Sequence, residues 1–305
     1  MSTTATIDGR PLRVVLKEHA KWVAQEPGAS RCHLEGITLN EIQLQDANLS
    51  RAVLKYVTLL DADLSRANLA GALLCSVDLS RGILSGVDLG GADIRDTQFC
   101  FGWLSSAVFL EARINSTNFR RANLRSARFQ DARLQNCRFS SASLVGAAFH
   151  HAQIGECDFS DADFEDAKFH AARFRACRFC DVKASGADFS SSRLGACSFM
   201  RADLPRAKFF QADLSSSSFD RANLSDCDLR EANLTGADLT GAVLRAARLS
   251  QAKLFATDLR STDLSGARGL TSAQLAQART DETTILPNST RGPYLRYSRA
   301  EIPAS

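Results

Sequence analysis

Large apolar residues recur at every fifth position over most of this chain. From Leu34 to Leu264 the spacing never slips, and all 47 positions are Leu, Phe or Ile except Ala184. Two residues before each position stands a small residue, usually Ala, and Asp or Asn often lies between the two. An amphipathic helix repeats near 3.6 residues and a strand at about 2, so neither element alone explains the pattern.

The five-residue period predicts a chain that turns through a right angle once per repeat. The large central residue and the small residue two positions before it then point inward, and the other three residues form the outer face and a corner. A second period supports four repeats per coil, because Phe occupies two series of central positions at intervals of 20 residues: Phe99 to Phe219 and Phe109 to Phe209. These two series predict stacked rings on opposite walls.

The fold class that follows is an all-β solenoid, a quadrilateral parallel β-helix of about 12 coils. Cys137, Cys157, Cys177 and Cys197 also lie 20 residues apart, in the small inward position. We interpret the cysteines as reduced, small apolar residues rather than metal ligands or redox groups. At Ala184 the missing volume is expected to come from Val182, which occupies the preceding small position.

Both ends of a solenoid need covers for the apolar core. Apolar residues at helical spacing predict a capping helix over residues 11–25, and Thr271 with Gln274 predicts a capping box that begins a short helix at about 271–278. Ile285, Leu286, Tyr294, Leu295 and Tyr297 are expected to hold the tail down. The predicted organisation is an N-terminal segment (1–31), a repeat region (32–267) and a C-terminal helix with a tail (268–305).

Triplets such as Ala-Asp-Leu at 62–64 and Ala-Asn-Leu at 67–69 resemble the A(D/N)Lxx signature of the pentapeptide-repeat family. The resemblance covers residues 32–267. It implies a right-handed quadrilateral β-helix of bacterial type and no catalytic residues. Some members of that family protect DNA gyrase, apparently by imitating duplex DNA, so a topoisomerase-binding protector is one function that the resemblance suggests.

Charge and composition narrow the functional classes. The net charge is only +3, and the repeat region carries nearly equal numbers of basic and acidic residues, which argues against direct nucleic-acid binding. No signal peptide or membrane-spanning run is visible. A cytoplasmic, bacterial location is expected, with secretion as a leaderless effector as an alternative.

The most informative surface feature is a group of apolar residues at outward positions. Ile83, Phe101, Trp103, Val108 and Leu110 fall outside the core, and Ile83 should neighbour Trp103 one coil away. Either a terminal segment covers this group, or it is a surface for a protein partner or a second copy in a homodimer. Trp103 is the natural anchor of such an interface.

Charged residues supply two further hypotheses. Arg113, Arg133, Arg173 and Arg193 share one outward column and form a candidate surface for an acidic partner. Stacked opposite charges that stabilise neighbouring coils are the plainer interpretation. DNA mimicry needs a continuous acidic stripe, which the sequence does not show.

Candidate chemistry is sparse. His150, His151 and His170 lie near one another in the predicted coils, but solvated surface histidines explain them better than a metal site. No nucleophile elbow, phosphate loop or paired catalytic carboxylates are visible. The sequence therefore predicts a non-enzymatic interaction or scaffold module with no cofactor or metal; a gyrase-binding DNA mimic is the alternative.

Overall fold

The computed structural model describes residues 6–7 and 9–303. Contacts divide the chain into two compact units, residues 1–148 and 149–305.

The first unit opens with a hairpin and a helix. β1 (Thr6–Ile7) pairs antiparallel with β2 (Arg10–Pro11), and α1 (Leu12–Val23) follows directly. The helix matches the predicted cap, and Leu12, Val15 and His19 are its buried residues. His19 Nδ1 accepts a hydrogen bond from the Cys32 N–H at 3.0 Å, which ties the helix to the first repeat. The hairpin was not predicted, because two-residue strands carry no periodic signal.

Six parallel strands of the first unit lie 20 residues apart and form one wall of the solenoid. Each pairs in register with the next: β3 (His33–Glu35), β4 (Val53–Lys55), β5 (Leu73–Cys75), β6 (Asp93–Arg95), β7 (Arg113–Asn115) and β8 (Arg133–Gln135). We call this the first wall. The second, third and fourth walls are centred on the residues 5, 10 and 15 positions later and are joined by isolated parallel bridges.

The core of the first unit contains two aromatic stacks. On the second wall the ring centroids of Phe99 and Phe119 lie 5.0 Å apart, and on the fourth wall those of Phe109 and Phe129 lie 4.6 Å apart. The Phe99 and Phe109 rings meet edge to face at 6.4 Å, so the second and fourth walls face each other across the core. This confirms the four-sided coil and the inward phase; by the same geometry the first and third walls are opposite.

Every corner from Gly36 to Gly266 has a left-handed backbone conformation at the second residue after the centre. Non-glycine residues hold this conformation at corners 41–261 with φ of 50–60°. On most walls the central carbonyl accepts a hydrogen bond from the N–H three residues later, as from Ala47 to Leu44 at 3.1 Å. The repeat is therefore a wall residue pair followed by a tight turn.

The second unit begins with β9 (Gln153–Gly155) and β10 (Arg173–Arg175), which pair in parallel register. Isolated parallel bridges continue the ladder from Arg173↔Arg193 onward. Regular three-residue strands are thus found in about seven turns, whereas about 12 coils were expected. The later repeats are joined only through single bridges. Phe rings again form two stacks, with Phe179 and Phe199 centroids 4.7 Å apart and Phe189 and Phe209 5.1 Å apart.

Ala184 leaves room that its neighbours fill. Val182 is buried in the preceding small position, as expected. Phe164 lies one coil earlier in the same column, and its N–H bonds the carbonyl of Lys183 at 2.6 Å. The Phe164 ring also reaches Phe179 in the next coil, with centroids 6.0 Å apart. The volume lost at Ala184 is therefore filled by Val182 and Phe164 together. The sequence indicated only Val182.

The C-terminal cap begins with α2 (Ser272–Leu275), shorter than predicted but with the expected capping box between Thr271 and Gln274. Gln274 Nε2 donates to the carbonyls of Leu249 and Ala252, at 3.2 and 2.8 Å, which satisfies the open edge of the last coil. Residues 279 and 285 then bridge to Asp258 and Asp263 as a further partial coil.

The tail is held by fewer residues than the sequence suggested. Leu286 is buried, and the Tyr294 hydroxyl bonds Ser272 Oγ at 2.7 Å. The expectation for Leu295 and Tyr297 was wrong, because their side chains are 66% and 91% exposed. Of the helices in the described part of the chain, neither has the length and apolar character needed to span a membrane.

Candidate functional site

Three large apolar side chains of the first unit lie together on its surface. Ile83 and Trp103 are bridged in parallel register on the third wall, and Phe101 occupies the corner that leads into Trp103. The exposed fractions are 43% for Ile83, 52% for Phe101 and 57% for Trp103. We call Ile83, Phe101 and Trp103 the aromatic patch.

The local fold gives these side chains no inward alternative. Leu84 and Leu104 take the central positions beside Ile83 and Trp103 and are fully buried. The small inward positions are Gly82 and Gly102, where an added Cβ would lie 3.1 and 3.0 Å from the Leu84 and Leu104 side chains. The core at this level is full, so the large side chains must remain outside.

The structure only partly groups the five predicted surface residues. Val108 and Leu110 are half-buried and lie on the fourth wall, around a corner from Ile83 and Trp103. As far as the structure describes the first unit, the three patch side chains stay exposed and the N-terminal helix does not cover them.

The candidate arginine column is divided between the two units. In the first unit Arg113 and Arg133 are in-register neighbours on the first wall, opposite the third. In the second unit Arg173 and Arg193 are bridged in the same way. All four side chains are exposed, and none forms an ion pair with any described residue. Within the first unit, the aromatic patch and the Arg113–Arg133 pair are therefore on separate walls.

Many of the outward acidic side chains stabilise the repeat itself. Asp63, Asp78 and Asp88 each accept a hydrogen bond from the backbone N–H two residues later, at 2.9, 3.0 and 2.9 Å. These bonds stabilise the turn and explain why Asp and Asn precede the central residue. Other acids pair between neighbouring coils, as Asp46 with Arg66 and Asp61 with Arg81, both at 2.7 Å. The arginine hydrogen bonds hold the pKa of Asp46 and Asp61 below the usual range.

The cysteine column continues a pattern of donors to backbone carbonyls. In the first unit Thr97 and Thr117 donate to the carbonyls of Arg95 and Asn115, both at 2.9 Å. In the second unit Cys177 Sγ contacts the carbonyl of Arg175 at 3.5 Å. A hydrogen bond with Cys177, together with burial, raises the pKa of the Cys197 thiol. These thiols are buried, and their role here is structural.

One cysteine pair, Cys177 and Cys180, has the CxxC spacing that metal sites often use, contrary to the expectation that no pair has it. Cys177 points into the core, whereas Cys180 stands at an outward position and its Sγ lies 3.3 Å from Ser198 Oγ. The two residues thus occupy opposite sides of one wall. This arrangement does not bring the two sulfur atoms together on one metal ion.

The three histidines of the second unit lie near one another on its surface. Ring centroids are 6.5 Å apart for His150 and His170 and 6.3 Å apart for His151 and His170. Partial burial, then the neighbouring His170, lowers the pKa of His150. Within residues 6–7 and 9–303, no three His, Cys, Asp or Glu side chains are arranged to hold a metal ion.

Comparison with known proteins identifies the class of protein. The family model for pentapeptide repeats matches eight copies within residues 59–96, 104–141, 122–161, 207–245 and 232–268. A second model, for a pentapeptide repeat region, matches residues 152–225. The first alone covers more than half of the sequence, so this chain belongs to the pentapeptide-repeat family.

Several solved structures share the repeat. HetL, a pentapeptide repeat protein involved in heterocyst differentiation regulation in the cyanobacterium Nostoc, is 27% identical over 89% of this chain and 96% of its own, with a TM-score of 0.33. A trypsin-treated form of QnrB1, a plasmid-mediated fluoroquinolone resistance protein, is 20% identical over 73% and 89%, with a TM-score of 0.37. A protein of the Arabidopsis thaliana thylakoid lumen is 31% identical over 30% and 70%, with a TM-score of 0.20. No curated protein matches the sequence.

Proposed function

We propose that this chain is a non-enzymatic interaction module that binds a protein partner through the aromatic patch. One observation carries the proposal: Ile83, Phe101 and Trp103 are neighbouring residues and all three are exposed. The other large apolar residues of the same coils are buried or half-buried. Tryptophan and tyrosine with arginine dominate the energetics of protein interfaces, and phenylalanine is also enriched there.

The surrounding framework suits a binding surface. Trp103 and Ile83 are each fixed to the preceding coil by two backbone bonds. The Trp103 N–H donates to the Gly82 carbonyl at 2.9 Å, and the Trp103 carbonyl accepts from the Leu84 N–H at 2.7 Å. The Ile83 N–H donates to the Ala62 carbonyl at 2.9 Å, and the Ile83 carbonyl accepts from the Leu64 N–H at 2.8 Å. A patch on a hydrogen-bonded ladder loses little backbone freedom when a partner binds, which favours affinity. The many structural roles of the acids give no support to the DNA-mimic alternative.

Replacement of Trp103 tests the proposal. Trp103→Ser should leave thermal unfolding within about 2 °C of wild type, since surface changes seldom alter stability much. It should also remove the protein that wild type captures from a bacterial lysate, because the anchor is lost. The matched control is Tyr56→Ser, which removes another exposed aromatic of the same unit (61% exposed).

Two results would overturn the proposal. One is a set of captured proteins that is unchanged by Trp103→Ser. The other is a large loss of thermal stability in Trp103→Ser, which would give the side chain a structural role. Sedimentation equilibrium on the same proteins separates a foreign partner from a second copy of this chain.

A further inference from the structure

Three arginines border the aromatic patch on one side. Arg120 lies on the second wall, Arg121 at the corner between the second and third walls, and Arg125 on the third wall, all in the coil after that of Trp103. The Phe101 N–H donates to the Arg120 carbonyl at 3.0 Å, and the Ser106 N–H donates to the Arg125 carbonyl at 2.9 Å. The Arg121 guanidinium stands over the Phe101 ring, 5.6 Å from its centroid. We call Arg120, Arg121 and Arg125 the arginine border.

The arginine border has no internal counter-charge. All three side chains are exposed, and none forms an ion pair with a described residue. By contrast, Arg66, Arg81 and Arg95 of the same unit are each paired with an aspartate at 2.6–2.7 Å. Residues 111–140 contain seven arginines but only Glu111 and Asp131 as acids. Neighbouring like charges are unfavourable for the folded chain, so a partner that neutralises them gains binding energy.

The opposite side of the patch has a different charge. Asp63 is bridged to Ile83, on the side away from Trp103. Its carboxylate bonds the Ser65 N–H and lies 2.7 Å from Gln45 Nε2. The surface therefore has a polarity along the third wall: an acidic residue, then the aromatic patch, then the arginine border.

From this arrangement we infer that the partner is an acidic protein segment, with an apolar residue that packs on Ile83 and Trp103 and carboxylates that pair with the arginine border. This inference rests on the proposed function and adds the chemistry of the partner. Arginine forks pair bidentately with carboxylates, and Arg121 is already oriented by the Phe101 ring. The segment lies with its acidic end toward Arg125 and its other end toward Asp63.

A second copy of this chain fits the surface less well. In a two-fold dimer the patch meets itself in the reverse direction, so the three arginines of each copy face a single acid, Asp63, whose carboxylate already bonds Ser65 and Gln45. A nucleic acid also fits less well, because it needs a track of basic groups for successive phosphates. On the third wall that track would end at Asp63.

An unbiased peptide selection tests the chemistry. Random twelve-residue peptides displayed on phage are selected on the immobilised full-length chain and counter-selected on Trp103→Ser. The expected survivors combine an aromatic or large aliphatic residue with two or more Asp or Glu. Synthetic copies are then titrated against the variants by fluorescence anisotropy, beside an RNA oligonucleotide of the same net charge.

The chain provides a matched pair of charge variants. Arg120→Gln/Arg121→Gln/Arg125→Gln should weaken the selected peptides by about tenfold or more and flatten the dependence of affinity on salt. Arg113→Gln/Arg133→Gln removes two equally unpaired arginines from the opposite wall and should change the affinity by less than about twofold.

Different failures have different meanings. Selected peptides that lack acids, or that bind the triple Gln variant as well as wild type, would overturn the inferred chemistry but leave the patch as a binding surface. The absence of any peptide that distinguishes wild type from Trp103→Ser would overturn the proposed function as well. Tighter binding of the RNA than of every selected peptide would replace the inference with a nucleic-acid surface.

Discussion

At the scale of single residues, the repeat is explained by two local requirements. In many repeats the residue before the centre provides a side-chain oxygen for the turn, as Asp63 does for Ser65, and the corner residue must accept a positive φ. Asn, Asp and Gly adopt that conformation most easily, but Ala196 and Phe101 also hold it, with φ of 56° and 57°. The ladder of backbone hydrogen bonds on both sides of each corner offsets the strain of the positive φ.

His19 is the residue whose chemistry should respond to pH. Burial lowers the pKa of His19 below its ordinary value of 6.5, and the charge of Arg31 adds to this effect, while the Ser50 carbonyl partly offsets both. The Trp22 ring stacks on the imidazole at 5.6 Å. Neutral His19 accepts the Cys32 N–H, whereas a protonated ring cannot.

The sign of the pH effect follows from the lowered pKa. Stabilisation of the N-terminal cap is fully present above pH 6.5 and is lost as the pH falls below that value. Hydrogen exchange of the Cys32 amide, corrected for its intrinsic rate, should show protection that is level above pH 6.5 and declines below it. In His19→Gln, which keeps an acceptor that does not titrate, protection should stay level. A parallel decline in both proteins would remove His19 as the cause.

At the scale of the elements, side chains from neighbouring coils fill a common core, so the repeats do not pack independently. The Phe columns and the inward phase could be predicted from the sequence because large apolar residues at a fixed spacing must all face the core. The residues that fill the space at Ala184 could be predicted only in part. Val182 stands two residues before Ala184, whereas Phe164 is a neighbour only through the 20-residue register.

A double-mutant cycle tests this shared volume. Ala184→Leu should overpack the third-wall column of the second unit, and Phe164→Leu should leave a void, each costing about 1–3 kcal/mol of unfolding free energy. The double variant restores a Leu–Leu pair like those elsewhere in the repeat, so its cost should be smaller than the sum by about 1 kcal/mol or more. Urea denaturation measures all four proteins. Additive costs would mean that Phe164 does not fill the space at Ala184.

At the scale of the whole molecule, the sequence predicts the class of fold far better than the site. The period of five residues specifies which side chains face out, and so identified Ile83, Phe101 and Trp103. The same period places Val108 and Leu110 one repeat later, on the next wall, so grouping them with Trp103 was an error of interpretation. The sequence could not show that Leu295 and Tyr297 stay exposed. The 20-residue register also separates paired from unpaired arginines at the corners: Asp46 precedes Arg66 by one coil, whereas Phe101 precedes Arg121.

The central claim is that a partner covers Trp103. The chain has two tryptophans, so Trp22→Phe leaves Trp103 as a single fluorescent reporter. Its emission is measured, with acrylamide quenching, before and after the addition of the captured protein or a selected peptide. Binding should give a blue shift and a severalfold loss of quenching, since an exposed indole becomes buried. Saturated binding with unchanged emission and quenching would contradict the claim.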